Sequence, residues 1–167
     1  MIFETPRLYV RHWGIEDLTN LHDLYGDPAI SELIGPALNM AETKQIFDEQ
    51  LIQYELQPYE GRYVIIEKED NTFIGTFLMR ATHDKDAIEI GYAIKKDDWG
   101  KGLATEVVNQ GIVYIFQSTT YNTIYAYTEI SNTNSKNVLM KCGFKQQPNL
   151  FEDGGELNAF SLSKPNN

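Results

Sequence analysis

The order of its segments predicts an α+β chain built on a mixed rather than purely parallel sheet. Three observations carry this. β-rich stretches dominate the first half, a strand–helix–strand–helix alternation follows, and two more β-rich stretches close the chain. The first strand is Leu8 to Trp13, where Leu8, Val10 and His12 alternate with Tyr9, Arg11 and Trp13. Ile15 to Tyr25 places Leu18, Leu21, Leu24 and Tyr25 at helical spacing, and a short helix follows Asp27-Pro28. Asn39, with Glu42 three residues on, marks a helix start, and Ile46, Phe47, Leu51 and Tyr54 share its face as far as Pro58. Tyr63–Glu67 and Thr72–Met79 flank Lys68-Glu69-Asp70-Asn71, a hairpin signal. With Ile88–Ile94 they make a three-strand antiparallel meander.

The next helix carries the stripe Ala104, Val107, Val108, Gly111, Ile112 and Ile115 and ends near Gln117. Thr123–Thr128 is a strand, and Ser131 or Asn132 opens a helix with Val138 and Leu139 on its apolar face. Gly143 supplies the left-handed stop. Phe144–Gln147 and Leu157–Ser163 are two late strands joined through Asp153-Gly154-Gly155. One domain over residues 1–163 is expected, with 164–167 as a disordered tail.

Composition narrows the function. A net charge of −10 argues against a nucleic-acid binder. There is no apolar run long enough to span a bilayer and no signal peptide, so no membrane partner is expected. Cys142 stands alone, which rules out an internal disulfide and suits a reducing cytoplasm; burial in packing is its expected role. His12, His22 and His83 have no ligand spacing, so no metal site is expected. Charge is uneven: Lys95 to Lys145 is +2 and the remainder −12. Glu16 to Glu60 holds ten carboxylates against Lys44 alone, either as solvated helix faces or as a surface that draws a cationic acceptor.

The sharpest motif is Trp99-Gly100-Lys101-Gly102-Leu103-Ala104-Thr105, between the Ile88–Ile94 strand and the next helix. Small residues at a helix start let an anion approach amides that have no intrahelical partner, where the helix dipole is positive. A plain tight turn would use the same residues. A second motif, Asn132-Thr133-Asn134-Ser135, opens the later helix that closes at Lys141-Cys142-Gly143-Phe144. A nucleotide P-loop is disfavoured, because Gly102 is followed by Leu103 and Ala104 rather than by Lys and Ser or Thr.

Together with Glu4-Thr5-Pro6-Arg7-Leu8-Tyr9-Val10-Arg11 and Phe73-Ile74-Gly75-Thr76, these motifs resemble the GNAT superfamily of acyl-CoA-dependent N-acetyltransferases. The closest likeness is to its ribosomal-protein alanine N-acetyltransferase branch. That resemblance implies a mostly antiparallel sheet, flanked by helices on both faces and splayed between its fourth and fifth strands (Ile88–Ile94 and Thr123–Thr128). It implies acetyl-CoA as co-substrate, with Trp99, Gly100, Lys101, Gly102, Leu103, Ala104 and Thr105 around its pyrophosphate. Trp99 departs from the Gln or Arg usual at its position and offers the phosphates no side-chain donor. The pantetheine arm would pair with the backbone of Tyr92, Ala93 and Ile94, and Asn132 and Ser135 would line the arm's far end. A bulge over Ile90–Tyr92, eased by Gly91, would present an amide to the oxyanion.

Ser135 matches the group that protonates the leaving thiolate, with Tyr92 and Tyr127 as fallback acids; ordinary helix capping would also explain Asn132 and Ser135. Glu89 is the first candidate base, with Glu129, Glu152 and Glu156 as alternatives, and Asn158 stands where the branch commonly has Asp. The resemblance implies direct acetyl transfer to a primary amine, a protein N-terminus or a cationic small molecule. The alternative is a non-catalytic acyl-CoA sensor. A monomer and a homodimer are both open.

Overall fold

A computed structural model describes residues 1–57, 59–152 and 154–165. Eight strands form one sheet: β1 (Phe3–Glu4), β2 (Leu8–Arg11), β3 (Gly61–Glu67), β4 (Phe73–Ala81), β5 (Ala87–Ile94), β6 (Thr123–Glu129), β7 (Lys145–Glu152) and β8 (Gly155–Ser163), in the order β1-β2-β3-β4-β5-β6-β8-β7. Five helices, α1 (Leu18–Gly26), α2 (Pro28–Ile34), α3 (Met40–Leu56), α4 (Leu103–Ser118) and α5 (Thr133–Lys141), cover it. Every neighbouring pair is antiparallel except β5–β6. The sequence reading missed β1, two residues long and too short for a periodic signal.

Local chemistry explains the helix starts. Asn39 Oδ1 accepts from Glu42 N–H at 3.0 Å while Glu42 Oε2 accepts from Asn39 N–H at 2.8 Å, closing a capping box on α3. Asp27 caps α2 by accepting from Ala29 N–H at 2.8 Å, with Pro28 just inside the helix.

Alternation along β3 divides the core. Tyr63 and Ile65 face α4, whose Leu103, Val107, Val108 and Ile115 are buried with them, while Val64 and Ile66 face Leu21, Leu24, Ile30 and Phe47 of α1–α3. Burying both faces uses up the period-two apolar surface that a one-sided sheet would leave wet. Gly75 has a specific reason to be glycine: a Cβ there would lie 2.0 Å from the Ala93 carbonyl oxygen across the β4–β5 ladder.

The parallel β5–β6 pairing covers only Ala87↔Thr123, Ile88↔Ile124 and Glu89↔Tyr125, after which β5 runs on to Ile94 and β6 to Glu129. The two strands therefore part midway. Lys164, assigned to a tail by sequence, is tied to the body: its N–H donates to Asn122 O at 2.8 Å and its ammonium to Phe116 O at 2.6 Å. Residues 166 and 167, and Asp153 in the expected β7–β8 connection, lie outside the described residues.

Candidate active site

Two clefts open where β5 and β6 diverge. The first, about 370 Å3, lies between the α4 start and α5. Gly100 and Gly102 both adopt left-handed backbone (φ 77° and 78°), so the chain doubles back before α4 and turns its amides outward. Among the described residues, the amides of Gly100 through Thr105 donate to no protein acceptor, and the first intrahelical bond is Glu106 N–H to Gly102 O at 3.1 Å. Consecutive unpartnered amides at a helix start suit a diphosphate.

The side chains of this turn do other work. Trp99 donates its indole N–H to Ile94 O at 2.7 Å, which pins the turn to the end of β5. Lys101 was expected to add charge to the phosphate site or to face solvent; its side chain is exposed, pairs with largely buried Asp98 at 2.6 Å and is absent from the cleft lining. The i,i+3 spacing of the two residues on one short turn brings them together. Lys141 of α5 does line the cleft.

A brace behind the turn was not legible as a site. Arg7 donates to Glu106 Oε2 through Nε at 2.7 Å and to Lys101 O through Nη1 at 3.0 Å, and Thr5 Oγ1 donates to Glu106 Oε1 at 2.5 Å. Burial alone would raise the Glu106 carboxyl, but these hydrogen bonds and the guanidinium charge hold it below its ordinary value. Arg7 thereby neutralises an acidic residue in the first turn of α4, beside the amides an anion would use. The nearest sequence signal was the opening Thr5-Pro6-Arg7 itself, about 100 residues away in the chain.

The second cleft, about 420 Å3, lies on the α1–α3 face of the sheet. The two share Leu33 and Ile34 of α2 together with Tyr92, Ala93, Asn132 and Ser135, so one cavity leads into the other at this seam. Tyr92 OH and Ser135 Oγ are 2.8 Å apart, and the phenol also reaches Ser135 O at 3.3 Å. Burial pushes the Tyr92 phenol up, opposed by its bond to Ser135, so it keeps its proton at neutral pH. Asn132 is a helix cap: its Oδ1 accepts from Ser135 N–H at 3.0 Å, which fixes the serine at the seam.

The bulge expected over Ile90–Tyr92 is not there. β5 pairs with β4 without a register shift from Ala81↔Ile88 to Gly75↔Ile94, and Gly91 has no positive φ. Divergence from β6 makes a bulge unnecessary. Lys95 N–H donates to Ile74 O at 2.9 Å, and strand alternation then turns the amides of Tyr92 and Ile94 away from β4 and into the gap.

Glu89 lines the second cleft, held by Arg80 through Oε1 and Oε2 at 2.9 and 2.8 Å. Glu129 and Tyr127 also line it, whereas Glu152 and Glu156 do not. Asn158 is buried and donates to Thr128 Oγ1 and Glu129 O, each at 3.2 Å, so it ties β8 to β6 instead of lining the cleft. None of the ten carboxylates between Glu16 and Glu60 lines this cleft. Most are exposed or locally paired, as in Lys44–Asp48 and Arg11–Asp17, and Glu60 accepts from the Tyr121 phenol at 2.9 Å. Cys142 is buried, and burial pushes its thiol up to about 11.

A turn of free amides leading to a splayed strand is the architecture of an acyl-CoA transferase, and comparison with known proteins agrees. The chain belongs to the acetyltransferase (GNAT) domain family, whose model matches residues 7–145, and it is an N-acetyltransferase of that family. Its sequence is 30% identical to the protein recorded as uncharacterized N-acetyltransferase p20 of Bacillus licheniformis, over 86% of this chain and 82% of that one. The fold matches the Vibrio cholerae spermidine N-acetyltransferase solved with CoA and spermine (TM-score 0.80, 19% identity, 94% of this chain and 95% of that one). It also matches the Vibrio fischeri ribosomal-protein-S5-alanine acetyltransferase (TM-score 0.78, 20% identity, 98% of both chains). Among the described residues no helix is long and apolar enough to cross a membrane.

Proposed function

We propose that this enzyme moves an acetyl group from acetyl-CoA directly to a primary amine, with the co-substrate in the α4–α5 cleft and the amine in the α1–α3 cleft. The observation that carries the reading is the seam: Tyr92 and Ser135 border both cavities, so a thioester in one can meet a nucleophile from the other. Acetyl-CoA supplies the activated acetyl thioester. The amides of Gly100 to Thr105 take the pyrophosphate, assisted by Lys141, and the open edge of β5 from Tyr92 to Ile94 takes the pantetheine.

Each step of the transfer has a group to serve it. The free amide of Tyr92 stabilises the oxyanion that forms when the amine nitrogen bonds to the carbonyl carbon. As the C–S bond breaks, Ser135 Oγ–H gives its proton to the departing sulfur and recovers one from Tyr92 OH, its partner at 2.8 Å, which is reprotonated by solvent water as CoA leaves. The amine's proton leaves to a carboxylate of the acceptor cleft. Glu89, positioned by Arg80, serves as base through a water, and Glu129 is the alternative. The acceptor names of structural relatives, spermidine and a ribosomal-protein alanine, support an amine substrate without choosing between a small molecule and a protein N-terminus.

The test is a panel of amines and N-terminal peptides with acetyl-CoA, read by release of CoA thiol. Ser135→Ala is expected to lower kcat by about 100-fold while acetyl-CoA affinity stays within about threefold. Glu89→Gln is expected to lower kcat by about 100-fold, and Glu129→Gln to leave it nearly unchanged. A Ser135→Ala enzyme with undiminished kcat would remove the assigned acid, and no CoA release from any amine would remove the transferase reading.

A further inference from the structure

We propose that the acceptor carries an anionic group as well as its amine, and that the Arg62 guanidinium in the second cleft reads that anion. This rests on the acetyl-transfer reading and names the substrate class for the same site.

The chain has four arginines. Three have carboxylate partners within 4 Å: Arg7 with Glu106, Arg11 with Asp17, and Arg80 with Glu89. Among the described residues the Arg62 side chain makes no ion pair and no hydrogen bond, although it is half-buried and lines the acceptor cleft. A guanidinium partly removed from water without a counter-charge is unfavourable, and a bound anion would satisfy its planar fork through two N–H donors.

Placement supports the same conclusion. Arg62 of β3 lies opposite Leu78 of β4, which lies opposite Gly91 of β5, so the three share a row on the α1–α3 face. Gly91 puts no side chain on that row, and Leu78 and Gly91 line the cleft between Arg62 and Tyr92. The backbone of Arg62 is fixed by α3: its N–H donates to Gln50 Oε1 at 2.8 Å, and its carbonyl accepts from the Tyr54 phenol. Its charge is felt at Tyr25, another cleft residue, where it opposes the upward pull of burial on the phenol.

The charges lining the cleft are Arg62, Arg80, Glu89 and Glu129. Arg80 and Glu89 neutralise each other, which leaves one cation, Arg62, and one carboxylate, Glu129, whose side chain has no partner among the described residues. One free charge of each sign complements a molecule with an ammonium and an anion. A polyamine, with cations only, would meet Arg62 as a repulsive neighbour.

The experiment compares matched amines on the whole enzyme. The panel holds amino acids against their amides, phosphoethanolamine against ethanolamine, and spermidine. The anion-bearing member of a pair is expected to exceed its neutral counterpart at least tenfold in kcat/KM; the pair that does so says whether carboxylate or phosphate is read. Arg62→Gln is expected to raise KM for the anionic substrate about 10- to 100-fold, the range for a lost hydrogen-bonded charge, with little change in kcat. KM for the neutral amine and affinity for acetyl-CoA should stay put. Arg62→Lys should restore part of the loss, which a merely misfolded variant could not imitate. Preference for spermidine or neutral amines, or an equal loss on all substrates in Arg62→Gln, would overturn this assignment and leave the transferase reading standing. No CoA release from any amine would overturn both.

Discussion

The two clefts that meet at Ser135 are built from different materials. The cleft proposed for the co-substrate offers mainly backbone donors: consecutive free amides from Gly100 to Thr105, two left-handed glycines, and a strand edge, with Lys141 beside them. Of its nearby charges, Lys101 and Asp98 are spent on one another, as are Arg7 and Glu106, and Lys141 is left at the cleft. The acceptor cleft is made of side chains drawn from β3, β4, β5, β6 and the α1–α2 region, with charges left over. A main-chain site recognises what an entire family shares. A side-chain site can change its acceptor by substitution without disturbing the fold.

The largest effect that would break this contrast lies at Gly102. With φ at 78°, a β-branched residue is strained and would cover the amides, so Gly102→Val is expected to weaken acetyl-CoA binding by about 100-fold or more, the worth of one to two charge-assisted hydrogen bonds. Lys101→Ala, one residue earlier, is expected to change it by less than about threefold, because its ammonium is held by Asp98. Calorimetric titration of both variants decides it. Equal losses would mean that the side chain, and not the backbone, binds the phosphates.

Gly91→Ala probes the other cleft. Its Cβ would sit 3.4 Å from Leu78 Cδ2, an ordinary contact, so the folded protein should lose less than about 1 kcal/mol. The methyl narrows the acceptor floor, and acceptor KM should rise several-fold with acetyl-CoA affinity unchanged. A matching loss of acetyl-CoA affinity would show that the clefts are not separable.

The Arg7–Glu106 brace sets a smaller, pH-dependent effect. Glu106 titrates below its ordinary value of about 4.3, so its contribution is complete at neutral pH and fades as pH falls through that lowered value. Melting temperature should therefore fall less steeply with acid in Glu106→Gln than in the native chain. Identical acid slopes would remove the brace from the account. Smallest of all is Cys142: with its thiol pushed up to about 11 and buried, alkylation at pH 8 should be slow in the native enzyme and rapid in denaturant. Fast native labelling would place it at a surface.

The difference between the clefts also explains what could be read in advance. Gly100, Gly102 and Ala104 are adjacent in the chain and have a local conformational meaning, so the phosphate turn was visible as a motif. The capped start at Asn132 was visible for the same reason, and it carries Ser135 to the seam by helix geometry alone. The anticipated bulge was wrong because amides were freed by the divergence of β5 from β6, which no run of residues encodes. The acidic stretch from Glu16 to Glu60 left solvated helix faces and a cation-drawing surface both open, and its carboxylates are mostly exposed or locally paired and absent from the acceptor-cleft lining.

By itself the sequence determined the alternation of elements, the helix caps, the αL glycines and the candidate phosphate turn. Each depends on backbone preferences within a few residues. Contacts between separate elements of the tertiary structure are what brace Glu106 with Arg7, hold Glu89 against Arg80 and leave Arg62 with no carboxylate partner among the described residues. Pairing between side chains depends on which strands lie side by side and which face each residue occupies. A single residue's shift in register would send Arg62, Arg80 or Glu89 to the opposite face of the sheet.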